Sequence, residues 1–229
     1  MTKYLIFIIT FTLSFSILAQ EFEKDMKAII SKIEASKAIS ISVKVSLYNK
    51  KGGAVQYSTV STVDFSTYGT ITKLGEMEMY TSAQHEVQVD HEENQVFIHP
   101  VSKTNVDFSD INLKEIKKLM EVDETAVKKP IYTLLSNVNG IKTYSIKNIE
   151  GYKECEVVLD TKEEKIKRVD YEYADSGTTK GQYCVLVYEK FDYSPSFSAT
   201  YFDSKNYFTL ENKQYTLSKR FNTYKLIVQ

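Results

Sequence analysis

The feature that most constrains this chain is a change of hydrophobic period between residues 33 and 39. Phe22, Met26, Ile29, Ile30 and Ile33 recur at helical spacing with Glu and Lys between them, which predicts an amphipathic helix. From Ile39 the period becomes two: Ile39, Ile41, Val43, Val45 and Leu47 alternate with Ser40, Ser42, Lys44 and Ser46. That alternation predicts a strand with one apolar and one polar face. A helix followed at once by such strands can bury its stripe against their apolar side, so mixed charges beside the stripe point to packing on a sheet and away from a membrane surface.

The alternation continues. Lys50-Lys51-Gly52-Gly53 supplies a turn, and Ala54 to Phe65 reads as the returning strand, with Val55, Tyr57, Val63 and Phe65 on one face. Further strands are expected at Thr70 to Leu74, Glu76 to Tyr80, Gln84 to Asp90 and Gln95 to His99, with turns at Gly75, near Ser82 and at His91 to Asn94. Met77 and Met79 alternate with Glu76 and Glu78, and Val87 and Val89 with Glu86 and Gln88, so the methionines and valines are expected inward and the carboxylates in water.

A helical interlude interrupts the strands. Asn112 and Glu115 have capping-box spacing ahead of Leu113, Ile116, Leu119 and Met120, and Pro130 sets apart a second helical piece at Ile131 to Leu135. Strands resume at Ile141 to Lys147, Tyr152 to Asp160, Ile166 to Ala174 and Gln182 to Tyr193. The aromatic tail from Tyr201 ends in a strand at Tyr224 to Val228. The class is α+β.

The first residues bear on compartment. Lys3, the apolar run Leu5 to Leu18 and the small-residue exit Ile17-Leu18-Ala19-Gln20 have the pattern of a signal peptide cut after Ala19. Residues 1–19 are therefore expected to be removed, leaving 20–229 as a single exported domain. No Cys follows the cut, so no lipid anchor is expected there. Loss of Lys3 takes Lys plus Arg from 29 to 28 against 30 Asp plus Glu, a net charge near −2, and no basic excess argues for nucleic acid. Only 3 Pro and 8 Gly fit long, uninterrupted strands.

The order of elements, and above all Glu86-Val87-Gln88-Val89-Asp90 followed by Gln95-Val96-Phe97-Ile98-His99-Pro100, resembles the LolA/LolB-type lipoprotein carriers. The resemblance runs from about Phe22 to the end. It implies an antiparallel unclosed β-barrel, a half-barrel with an N-terminal helix and a helical lid insertion, acting in the periplasm. It also implies lipid or an acylated lipoprotein as partner, together with inner- or outer-membrane lipoprotein-sorting components. Two departures stand out: Phe65-Ser66-Thr67-Tyr68-Gly69 occupies the place of the family's Arg-Pro, and the chain has no Trp.

The physical content of a carrier is independent of the resemblance. Each CH₂ taken out of water gains roughly 0.8 kcal/mol, so an apolar concave face holds acyl chains without specific polar contacts. Flexible Met suits chains of varied shape. The expected lining is Val43, Val45, Leu47, Val55, Tyr57, Met77, Met79, Val87, Val89, Val96 and Ile98, with Leu113, Ile116, Leu119 and Met120 as lid. Apolar alternation fits a filled core equally well, so a non-catalytic structural or interaction module, with an aromatic patch from the Tyr201 to Phe221 tail, stands beside the carrier. A monomer is expected in either case.

Catalytic, metal and cofactor chemistry find little support. His85 shares the face of Val87, His99 that of Phe97, and His91 sits in a turn, so the three histidines do not converge, and His91-Glu92-Glu93 lacks the HExxH spacing. Glu76 with Glu78, and Glu121 with Asp123 and Glu124, are expected on solvated faces. There is no GxSxG elbow, P-loop or dinucleotide fingerprint. Lys114, Lys117 and Lys118 are expected on a solvated helix face, near Lys128 and Lys129. A meander places Cys155 and Cys184 two strands apart, about 9 to 10 Å, beyond the roughly 7 Å limit for a disulfide, so two buried free thiols are expected.

Overall fold

The computed structural model describes residues 2–102, 129–174 and 182–229, with side chains from Ala19 onward. One helix, α1 (Thr2–Ala35), precedes β1 (Ala38–Tyr48), β2 (Val55–Ser66), β3 (Gly69–Leu74), β4 (Met77–Thr81), β5 (His85–Asp90) and β6 (Gln95–Pro100). Then follow β7 (Ile131–Val138), β8 (Ile141–Lys147), β9 (Tyr152–Asp160), β10 (Lys165–Tyr173) and β11 (Tyr183–Asp192). The tail adds β12 (Phe208–Glu211), β13 (Gln214–Leu217) and β14 (Lys225–Val228). Among the described residues this is a mostly antiparallel sheet with one α-helix. Leu113, Ile116, Leu119 and Met120, where the helical lid is expected, lie outside the described residues.

Turn chemistry explains the hairpins. Asp90 Oδ1 accepts from the backbone N–H of Glu92 and Glu93 at 3.0 and 2.9 Å, and Asn94 then takes φ 53° to close β5 on β6. Asp160 repeats the device with Lys162 and Glu163 before Glu164 at φ 55°.

The segment Ile131 to Leu135 is a strand and not a helix, and the cause lies just beyond it. Asn139 and Gly140, at φ 54° and 88°, form a two-residue turn of the kind that matches strand twist. It folds β7 onto β8 from Val138↔Ile141 to Ile131↔Lys147, with an irregularity between Leu134 and Ser136.

The chain divides into two compact units. The first comprises Met1–Ala35, Lys44–Ser58 and Lys114–Glu189. Its strand order is β2-β1-β11-β10-β9-β8-β7, open at β7. One face carries Tyr144, Ile146, Cys155, Val157, Val169 and Tyr171, placed together by the register Tyr144↔Val157, Val157↔Val169 and Cys155↔Tyr171. Helix α1 lies on this face. Its Phe22 ring stands 5.1 Å from Tyr132 and 5.0 Å from Tyr144, and Phe22, Met26, Ile29 and Ile33 are at most 1% exposed. Burying these four side chains is worth on the order of 10 kcal/mol before chain entropy is charged against it. Asp25 fixes the docking: it accepts from Lys142 Nζ at 2.8 Å and from Tyr144 Oη at 2.7 Å. The opposite face is ionic, with Arg168 forked onto Asp170 at 2.6 and 2.9 Å and Lys51 on Glu156 at 2.5 Å.

The second unit comprises Ser36–Val43, Thr59–Leu113 and Lys190–Gln229. Its strand order, β14-β6-β5-β4-β3-β2-β1-β11, is antiparallel from β2 through β6 and adds β14 parallel to β6, pairing Leu226 with Val96 and Val228 with Ile98. Strands β12 and β13 form a separate hairpin turned by Asn212 and Lys213 at φ 50° and 65°.

Candidate functional site

In the first unit, alternation along β1 and β2 sets the exposed apolar surface. Tyr48 meets Tyr183 ring to ring at 6.1 Å on the ionic face, where Tyr183 Oη donates to Asp170, and Ser46 and Ser58 hydroxyls pair at 3.1 Å. Val45, Leu47, Val55 and Tyr57 therefore point to the opposite side, the one α1 occupies. Val45 and Leu47 are half-buried, while Val55 and Tyr57 remain 53% and 52% exposed. An apolar strip thus continues a face whose remainder is closed by α1.

The second unit separates the other expected lining residues. Met79 pairs with Gln88 and Tyr80 with Val87, so Met77 and Met79 lie on one face and Val87 and Val89 on the other. The register Val87↔Ile98 and Val89↔Val96 carries that second face across β6. Met77, half-buried, and Met79, 47% exposed, therefore do not share a surface with Val87, Val89, Val96 and Ile98, each of which is at most 2% exposed. These four aliphatics pack in a core with Phe202, Tyr207, Phe208 and Phe221. Val43 is half-buried, on the face of Ile39 and Ile41.

The tail that covers this core is held by polar side chains of the sheet. Tyr201 Oη donates to Asp64 at 2.5 Å, Tyr207 Oη to Glu78 at 2.7 Å, and Tyr80 Oη to the Phe202 carbonyl at 2.9 Å. His91 Nδ1 pairs with Tyr224 Oη at 2.9 Å, and His85 stands edge-on to Phe208 at 4.8 Å. The tail aromatics are thus a core component; the exposed patch expected from Tyr201 to Phe221 does not form, because Phe202, Tyr207, Phe208 and Phe221 are buried in one cluster with the sheet aliphatics and Tyr201 and Tyr215 pack against it.

Glu78 is the sharpest departure from expectation. Expected in water, it is buried beside Tyr80 with its side chain 3% exposed. Arg220 grips it with two donors, Nη1 to Oε1 at 3.1 Å and Nη2 to Oε2 at 2.7 Å. Burial pushes the carboxyl up, but hydrogen bonds from Arg220 and Tyr207 and the charges of Arg220 and Lys73 outweigh it, and the group is held below the usual carboxylate range. Tyr207 is raised by burial and by its bond to Glu78. No local signal marks Glu78 as buried, since its hydrogen-bond partners lie 129 and 142 residues away. Glu76 is exposed and does not converge with it.

The remaining candidates are quickly placed. Glu86, opposite His99, points away from Val87, so His85 and His99 occupy different faces. Cys155 and Cys184 flank Tyr171 on either side, both buried and unbridged. Desolvation raises both thiols, Cys184 to about 11. Lys114, Lys117, Lys118, Lys128, Glu121, Asp123 and Glu124 lie outside the described residues, and Lys129 is exposed.

No family model matches the chain, and no curated protein does. Among solved structures it is similar to an uncharacterized conserved protein from Thermus thermophilus, at 9% identity over 89% of this chain and 98% of that one, with a TM-score of 0.47. It is similar also to the lipoprotein LppX of Mycobacterium tuberculosis, at 10% identity over 78% and 98% of the two chains, TM-score 0.37. A LolA superfamily protein from Nitrosomonas europaea aligns at 8% identity over 76% and 96%, TM-score 0.30. The structural neighbours thus include the superfamily that the sequence resembles, but identities of 8–10% and TM-scores below 0.5 leave the function to be read from the residues.

Proposed function

We propose that this chain is an exported, non-catalytic carrier that takes up lipid or the acyl chains of a lipoprotein on the uncovered apolar face of its first unit. The observation that carries the reading is the strip Val45, Leu47, Val55 and Tyr57. It continues the face buried by α1, yet its two β2 members keep more than half their surface in water. An acyl chain laid there gains roughly 0.8 kcal/mol for each CH₂ covered, so a dozen methylenes supply about 10 kcal/mol before the cost of immobilisation is charged. In the second unit, taken by itself, Val43, Met77 and Met79 stay candidate apolar contacts, while Val87, Val89, Val96 and Ile98 have a structural role. The periplasm and delivery toward the outer membrane belong to the proposal through the sequence resemblance.

The test is native mass spectrometry with lipid analysis of the released cargo, coupled to a fluorescent fatty-acid titration of wild type, Val55→Asp and Tyr57→Asp. Stoichiometric lipid in the wild type and at least about tenfold weaker uptake in both variants are expected, since each places a charge against the chain. An apo mass with no uptake by the wild type would sink the carrier and leave an interaction module.

A further inference from the structure

The second unit holds a feature that the carrier reading does not use. Between the sheet and the tail lies an open cavity of about 590 Å³, within the range of small-molecule sites. Its wall presents four cations, Lys73, Lys205, Lys219 and Arg220, against a single carboxylate, Glu78. That carboxylate is already committed. Both its oxygens accept from Arg220, Oε1 also accepts from Tyr207, and Lys73 Nζ stands off at 3.6 Å.

The cations are placed by built structure. Lys205 sits in a 3-10 turn, Ser204–Asn206, whose start is capped by the Asp203 side chain accepting from the Lys205 backbone N–H at 2.9 Å. Lys219 opens a second such turn, Lys219–Phe221. Neither ammonium group has an acceptor among the described residues. Arg220 is held flat by its fork on Glu78 and lies over the Phe221 ring at 4.7 Å, so of five N–H donors two are spent and the others remain for a ligand. Four positive groups against one negative leave the wall at +3, and a concave wall concentrates that field. A doubly charged oxyanion meets this demand better than a carboxylate, because several ammonium groups and a guanidinium can share its oxygens.

We propose that this cavity binds the phosphate group of an organic phosphate, with Lys73, Lys205, Lys219 and Arg220 as its contacts and Glu78 as the residue that positions Arg220. The volume exceeds that of a bare phosphate, which leaves room for the organic moiety. The proposal is independent of lipid uptake on the first unit, and the two can fail separately.

The full chain is titrated at low ionic strength with glycerol 3-phosphate by calorimetry, and tested for flotation with phosphatidylcholine vesicles with and without phosphatidic acid. Saturable binding in at least one arm is expected, weakened at least about tenfold in the double variant Lys205→Gln, Lys219→Gln. Binding should be retained in Lys205→Arg, Lys219→Arg and in Lys213→Gln, an exposed lysine at the β12–β13 turn outside the cavity wall. Binding of the solute assigns a free organic phosphate; phosphatidic-acid-dependent flotation alone assigns a lipid headgroup. No binding in either arm, or binding that the double glutamine variant leaves intact or Lys213→Gln weakens equally, overturns the proposal. Thermal melts by circular dichroism confirm that the variants fold.

Discussion

Replacing Glu78 by Gln tests whether the tail is clamped electrostatically. The amide keeps an acceptor for Tyr207 but loses the charge that Arg220 grips with two donors. A hydrogen bond to a charged partner is worth about 1.5–3 kcal/mol, and stripping one partner from a fully buried pair costs about 3–5 kcal/mol. The Arg220 side chain is 47% exposed, so water takes over part of its solvation and the larger range does not apply. About 2 kcal/mol of destabilisation at pH 7 follows. The effect must fade in acid. The folded carboxyl lies below its ordinary value of 4.5, so its contribution is complete above that pH and vanishes as the pH falls through the folded value. Urea denaturation followed by circular dichroism, with amide exchange in β4 as local readout, should show wild type and Glu78→Gln about 2 kcal/mol apart at neutral pH and converging in acid. A difference under about 0.5 kcal/mol at pH 7, or one that persists undiminished in acid, would refute the clamp.

Other outcomes follow from the same geometry. Asp25→Ala removes the acceptor of both Lys142 and Tyr144 and should cost about 2 kcal/mol, Glu21 retaining part of the Lys142 charge at 2.8 Å; unchanged denaturation would remove Asp25 from the docking of α1. Burial lowers the Lys142 ammonium, but Asp25 and Glu21 raise it further than burial lowers it. Its stabilisation is thus present below the ordinary value of 10.5 and lost as pH rises through the folded one, so Lys142→Met should flatten the alkaline limb of the stability profile. Cys155 and Cys184 should resist a thiol reagent at pH 8 and titrate fully only in denaturant; rapid native labelling would contradict their burial. Thr70 Oγ1 is buried with no partner among the described residues, so Thr70→Val should be neutral or stabilising by up to about 1 kcal/mol, and clear destabilisation would reveal an acceptor.

Local rules carried most of the fold. Alternation and turn residues located β1 to β6 and β8 to β11 within a residue or two, because each of those strands is bounded by its own Gly, Asn or Asp turn. At Ile131 to Leu135 the apolar spacing fitted a helix, and the decisive signal was Asn139-Gly140, a hairpin pair that outweighs the weak propensity of five residues. Asn212-Lys213 is a fainter turn of the same type, and β12 and β13 carry no clearer mark in the sequence. The candidate site was less legible. Pattern alone placed Met77 and Met79 inward, but Glu78 and Tyr80 took the buried side because Arg220, Tyr207 and the Phe202 carbonyl satisfy them from the tail. A strand cannot announce partners supplied more than a hundred residues later, and the cavity cations at Lys205 and Lys219 depend on that same return of the chain.

That return also governs when the second unit can exist. Tyr80 waits for Phe202, 122 residues on, and Glu78 for Arg220, 142 residues on. At about 5–20 residues per second, a ribosome needs roughly 6 to 30 s to deliver those partners. Throughout that interval the valines of β5 and β6 face outward on an unfinished sheet, with a buried-type carboxylate among them and no strand along the outer edge of β6. The second unit therefore cannot close its core before the tail is delivered, and until then its unfinished sheet edge is the part of the chain most open to wrong strand pairing.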